Sequence, residues 1–166
     1  NMQQLPRDNP TVKGCIKARP GYKIVAMDLT TAEVYVAAVL AKDKNLQNVF
    51  KSGGNFHSTI AKQVFKLPCE VEDVDKYYSD KRQQAKAVTF GIMYGAGPSK
   101  ISWQVTKDSG KEFSVGEANR VISDYFASFS DLKKWLTVSQ ESIKMNGHIY
   151  SLFGRKRRLE NAKSKD

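Results

Sequence analysis

Four side chains recur at every fourth position in one run of this chain: Arg82, Lys86, Phe90 and Tyr94. At about 100° per residue, each step drifts by only about 40°, so all four share one side of a helix. The order is two cations followed by two aromatics. A nucleoside triphosphate needs such a surface, with cations for the phosphates and a flat ring for the base and sugar. The same spacing also describes a surface helix with an aromatic foot in the core, and the pattern alone leaves both readings open.

Other residues add chemistry with alternatives of their own. Asp28 closes the apolar run 22–29 just ahead of a helical stretch. A carboxylate there projects into the crevice where α/β folds gather ligands, or simply caps the start of the next helix. Thr30-x-x-Glu33 has capping-box spacing, which by itself makes Glu33 a capping residue. His57 opens an apolar helix, where it either meets an anion or serves as a structural histidine. The run Arg155-Lys156-Arg157-Arg158 follows Leu152-Phe153-Gly154. A basic turn of this kind binds phosphate backbones or stays solvated.

The elements that must position these groups are mostly helical. Helices are expected over 31–41, 44–51, 57–66, 71–78, 80–93, 98–108, 115–127 and 131–146. Ser79 or Asp80 caps the fifth of these and Gly95 ends it, while Gly147 ends the last. Strands are expected over 22–29, 148–153 and 156–159. A lone strand at 22–29 cannot stay half-covered in water. It pairs with the two late strands, or its sheet lies in chain outside these residues. Residues 1–20 hold Pro6, Pro10 and Pro20, which break any long helix, and the tail 160–166 is polar and loose.

The chain of 166 residues carries 27 Lys and Arg against 17 Asp and Glu, a net charge of +10. That balance favours a polyanionic partner. No stretch approaches the roughly 20 apolar residues of a membrane span. The polar start shows no signal peptide, and its lack of an initiator Met is expected of a processed product or an excised segment. Cys15 and Cys69 form neither a disulfide framework nor a metal-ligand cluster.

Taken together, the segments resemble the family A (Pol I-type) DNA polymerases, most closely the phage replicative branch. Asn1-Met-Gln-Gln-Leu-Pro is similar to the family's Asn-Leu-Gln-Asn-Ile-Pro. Ala26-Met-Asp28-Leu-Thr-Thr-Ala-Glu33 resembles motif A, usually Asp-Tyr-Ser-Gln-Ile-Glu. Asn55-Phe-His57-Ser-Thr resembles Asp-Ile-His-Thr. Arg82 to Gly95 matches motif B, the fingers helix Arg-x3-Lys-x3-Phe-x3-Tyr-Gly. Leu152-Phe-Gly-Arg-Lys-Arg157 is similar to Leu-Phe-Gly-Arg-Arg-Arg. Five segments in the family's order make a specific match over nearly the whole chain.

The resemblance implies roles. Asp28 and the backbone carbonyl of Leu29 would bind the catalytic magnesium ions, of which the complete enzyme uses two. Arg82, Lys86 and His57 would hold the triphosphate, with Asp28 and Lys86 as the catalytic pair. Phe90 would pack on the sugar, Tyr94 would lie near the templating base, and Glu33 would be the steric gate against a 2′-hydroxyl. Gln3, Gln4, Tyr94 and Arg157 would contact DNA. The implied fold is α+β, predominantly α-helical, with fingers helices and a partial palm of few antiparallel strands. Residues 1–40 would be the palm edge with motif A, 41–146 the fingers with motif B, and 147–166 the return toward the palm.

Departures stand beside these matches. Leu29-Thr-Thr-Ala replaces Tyr-Ser-Gln-Ile, and Tyr35 stands where many members carry Arg. His57 is followed by Ser58 and His148 by Ile149, so there is no His-Asp pair and no motif C. Glu141, Glu160 and Asp166 lie outside any such turn. The expected function is template-directed DNA synthesis, this chain being the nucleotide-binding fragment and inactive alone. Its partners would be primer–template DNA, deoxynucleoside triphosphates and the polymerase segments carrying motif C and thumb, with no membrane, in the cytoplasm (the host's, if phage-encoded). The alternatives are a non-catalytic nucleotide- or DNA-binding subunit of a split polymerase and a fragment of a single-subunit RNA polymerase. Glu33 and Phe90 speak against the latter, because both suit a deoxyribose pocket.

Overall fold

A computed structural model describes residues 10–29 and 31–163 of the chain, so Gln3, Gln4 and Thr30 lie outside the described residues. The chain divides into two compact units, Asn1–Thr30 and Thr31–Asp166. The first holds the short helix α1, Pro10–Gly14, and a stretch without regular structure. The second runs α2 Ala32–Leu40, α3 Lys44–Lys51, α4 Phe56–Phe65, a 3-10 turn Val71–Asp73, α5 Val74–Tyr77, α6 Ser79–Met93, α7 Pro98–Ser109, α8 Val115–Ser128 and α9 Ser130–Asn146. The strands β1 His148–Tyr150 and β2 Lys156–Arg158 and a 3-10 turn Glu160–Lys163 complete it. The chain is thus predominantly α-helical with a small antiparallel sheet, as its periodicities indicate.

The helices start and stop where local chemistry permits. Ser114 Oγ accepts from the Glu117 amide at 3.2 Å, and the Ser114 amide donates to Glu117 Oε2 at 2.8 Å, closing a capping box on α8. Pro98 occupies the first turn of α7, and Gly110 at φ 68° ends it. Gly147, at φ 67°, ends α9 as expected. Asp43 caps two helices at once. Its Oδ1 accepts from the Leu46 amide at 2.9 Å, at the start of α3, and its Oδ2 from the Leu132 amide at 3.0 Å, in the first turn of α9. The core that these helices enclose includes Val34, Leu46, Ile60, Val88, Ile101, Tyr125, Phe129 and Leu132, all buried.

Three expectations need correction. Residues 22–29 form no strand, and Val25, Met27 and Leu29 are 77%, 92% and 80% exposed. The sheet of the described residues has only β1 and β2, which pair with each other in register His148↔Arg158 and Tyr150↔Lys156. An apolar run becomes a strand only when an edge satisfies its backbone groups, and no strand among the described residues does so. Neither Ser79 nor Asp80 caps α6. The N-cap is Tyr78 without a side-chain bond, and Asp80 instead accepts from Lys111 Nζ at 2.8 Å. That bond holds the Asp80 carboxyl below its ordinary value. Finally, the segment expected as a single helix over 71–78 is split between a 3-10 turn and the single turn of α5.

Helix α6 lies tightly against α7. A methyl group on Gly91 would sit 2.7 Å from Cγ1 and 2.8 Å from Cδ1 of Ile101, itself only 2% exposed. Gly91→Ala gains up to about 1 kcal/mol of helix propensity, but overpacking costs about 1–3 kcal/mol, so the clash prevails. The expected result is a net loss of about 1 kcal/mol in denaturant melts, recovered in part by adding Ile101→Val. A stabilised Gly91→Ala chain would show that the two helices have room to spare.

Candidate nucleotide-binding site

Helix α6 presents two arcs. Ala85, Val88, Thr89 and Ile92 are buried. Arg82, Lys86, Phe90 and Tyr94 turn away from that arc, spanning about 120° in three steps of four residues. Lys86 is exposed, Arg82 and Phe90 are half-buried, and Tyr94 is 71% exposed. Tyr94 follows the last helical residue and Gly95 turns the chain at φ 69°.

Helix α4 brings His57 to this arc. Asn55 caps α4 through the Ser58 amide at 3.2 Å, which places His57 in the first turn. Its ring lies 5.2 Å from Phe56, edge-on, and 5.7 Å from Phe90, while only 9% of the residue is exposed. Burial, and then the charges of Lys86 and Arg82, push its pKa down from 6.5 to about 4. The ring is therefore neutral at pH 7. Its buried Nδ1 has no hydrogen-bond partner, an unusual state for a buried polar atom.

The sign of the pH dependence follows. Between pH 6.5 and about 4 the unfolded chain takes up a proton at His57 and the folded chain does not, so stability falls as pH drops through that window. Below about pH 4 no further loss comes from this group. NMR of the ring protons should show a midpoint near 4, and a triphosphate bound beside the ring should raise it. A His57 midpoint at its ordinary value in the free chain would contradict the buried placement.

Glu33, early in α2, meets the other end of α6. Tyr94 Oη donates to Glu33 Oε1 at 3.3 Å, across 61 positions of sequence. The N-cap of α2 is Thr31, in the left-handed region at φ 51°, and its side chain makes no cap bond. Left-handed backbone is costly for a β-branched residue, so the packing of the unit holds this start in place. The Thr30 partner of the expected capping box lies outside the described residues.

A cavity of about 510 Å³ opens between α6 and α7. Lys86, Phe90 and Tyr94 line it from α6, and Lys100, Gln104 and Asp108 from α7. Gln104 Nε2 donates to both carboxylate oxygens of Asp108 at 2.8 Å. The α7 wall was not singled out from sequence, although Lys100 and Gln104 repeat the four-residue spacing of α6. His57 and Arg82 do not line this cavity; His57 instead meets Phe90, which does.

The remaining expected residues lie on other segments of the chain. Asp28 and Leu29 belong to the first unit, exposed in the irregular stretch. Among the described residues no three His, Cys, Asp or Glu side chains gather as metal ligands. A carboxylate and one carbonyl do not complete the near-octahedral shell that magnesium demands, so the described residues do not by themselves fit a metal ion. Arg157 sits on the exposed β2, opposite Ile149. The hairpin turn is closed by the Ser151 amide to the Arg155 carbonyl at 2.9 Å, with Gly154 at φ 79°. Lys156 lies over the Tyr150 ring at 5.8 Å. No helix among the described residues is long and apolar enough to cross a membrane.

The fold is mostly helical, and α6 carries two cations and two aromatics along one side. The family model for "DNA polymerase family A" matches residues 1–166, and the chain belongs to that family. The DNA polymerase of Escherichia phage T5 is 49% identical over 183 aligned residues, covering 100% of this chain and 21% of the phage protein. The thermostable DNA polymerase I of Thermus aquaticus is 30% identical over 160 residues, covering 95% of this chain and 18% of that protein. The chain thus spans about a fifth of the length of the curated relatives it matches. The POL domain of Pol1 from M. smegmatis, solved in complex with DNA primer-template and dNTP, superposes with a TM-score of 0.70 over 84% of this chain and 23% of that one, at 24% identity. Polymerases of this family use divalent metal ions.

Proposed function

We propose that this chain is the nucleotide-binding fingers and palm-edge portion of a polymerase performing template-directed DNA synthesis, the transfer of a deoxynucleotide to a primer 3′-hydroxyl. The observation that carries this reading is the cluster on α6: two cations beside a buried, neutral His57 with a free Nδ1, and an aromatic ring against it. Arg82 and Lys86 take the triphosphate as charge-assisted donors, and His57 adds a hydrogen bond from inside the cluster. Phe90 packs on the sugar. Glu33, fixed by Tyr94 at 3.3 Å, occupies the space a 2′-hydroxyl needs. Tyr94 also faces the templating base.

Asp28 and the Leu29 carbonyl contribute to binding the two magnesium ions, whose other ligands come from segments with motif C. Gln3, Gln4 and Arg157 contact primer–template, alongside the exposed cations Arg155, Lys156 and Arg158. The palm edge runs over 1–40, the fingers over 41–146 and the return over 147–166. The enzyme works in the cytoplasm, that of the host if phage-encoded.

Glu33→Ala in the complete polymerase tests the reading. Relief of a one-group clash should raise ribonucleotide relative to deoxyribonucleotide incorporation on the order of tenfold. An unchanged ratio, with α2 merely less stable, would leave Glu33 a structural residue and remove the gate.

A further inference from the structure

Of the two cations in the α6 cluster, only Arg82 has a carboxylate partner among the described residues. Its Nε stands 3.5 Å from Oδ1 of Asp75, on α5. The other ion pairs there join Lys62 to Glu70 and Lys111 to Asp80, and leave Lys86 without a partner. The Arg82 side chain is 18% exposed and that of Asp75 is 65% exposed. Val74, beside Asp75, is fully buried, so the single turn of α5 is pinned while its carboxylate faces water. The contact is loose. It approaches through Nε rather than as a two-pronged fork, and that buried Nε makes no hydrogen bond. The guanidinium is thus neutralised in part and not tightly gripped.

We propose that Asp75 is an intramolecular counter-ion for Arg82, which the phosphates of a nucleotide must displace, and that it sets how tightly this chain holds triphosphates relative to shorter nucleotides. The inference rests on the reading of Arg82 as a triphosphate ligand. A terminal phosphate brings more charge and more acceptor oxygens than one carboxylate, so it wins the exchange. An exposed, screened carboxylate is a weak competitor, which makes the effect a matter of a few-fold.

The test is a titration of the 166-residue chain with dATP, dADP and dAMP by equilibrium dialysis at fixed low salt. Asp75→Asn should tighten dATP binding about three- to fivefold, with a smaller gain for dADP and little for dAMP. Asp75→Glu, which keeps the charge, should behave as the unaltered chain. In an Arg82→Ala background, Asp75→Asn should gain little, because the pair no longer exists. Unchanged or weakened dATP binding in Asp75→Asn overturns the inference, as does an equal gain with Arg82 removed. If Arg82→Ala weakens dATP binding while Asp75→Asn does nothing, only the counter-ion fails and the nucleotide site stands. If Arg82→Ala leaves dATP binding unchanged, the triphosphate role of Arg82 falls and the counter-ion falls with it.

Discussion

Asp43→Ala should destabilise the chain by about 3 kcal/mol, on the order of 10 °C in melting temperature. Asp43 is 2% exposed, and each of its oxygens accepts one backbone amide, Leu46 at the start of α3 and Leu132 in the first turn of α9. Removing the carboxylate strands two buried amides, each costing about 1–3 kcal/mol when left unpaired. Helix α9 has no cap of its own, since Phe129 at its N-cap makes no side-chain bond. The capping carboxylate comes instead from 89 positions away and ties the two helices together. Asp43→Asn keeps the shape and one good acceptor, so it should cost about half as much. Denaturant melts of the three chains check the order. A loss below about 1 kcal/mol in Asp43→Ala would mean that neither amide depends on this side chain.

Lys86→Ala should weaken nucleotide binding at least about tenfold, the size of one charge-assisted contact worth roughly 1.5–3 kcal/mol. Lys86 is exposed, lines the cavity between α6 and α7, and has no carboxylate partner among the described residues, so its charge is available. The same substitution has a second readout. The Lys86 charge helps to hold the His57 pKa near 4, so its removal should move the His57 midpoint upward. Nucleotide titration and NMR of His57 on one sample therefore check binding and placement separately. Unchanged nucleotide affinity would sink the triphosphate role, and an unmoved His57 would show the two side chains to be farther apart than they are here.

These two predictions sit on different links of the chain from sequence to function. Asp43 concerns how the helices are held, Lys86 what the held helix does. Helix α6 joins the two, because its buried arc belongs to the core that Asp43 helps to organise while its outer arc carries the cations. Gly91 sets how closely α7 approaches that helix, and so how wide the cavity between them stands.

The sequence by itself determined the helices and the face of α6. Their expected spans match to within a residue or two over α2–α4 and α6–α9, because helix periodicity, Gly95 and Gly147 act within one or two turns. The common side of Arg82, Lys86, Phe90 and Tyr94 is equally local, since four residues of helix fix it. Tertiary structure decided the rest. The capping carboxylate of α9, the Tyr94–Glu33 bond, the burial of His57 against Phe90 and the α7 wall of the cavity join residues far apart in the chain. The arginine partner Asp75 was invisible for a different reason: seven positions from Arg82, it comes close only because α5 is a separate turn ahead of α6. The run 22–29 shows the same division from the other side. Its short, mostly apolar run meets the local conditions for a buried strand, but a strand's hydrogen bonds are all made to another strand, and no pairing partner occurs among the described residues.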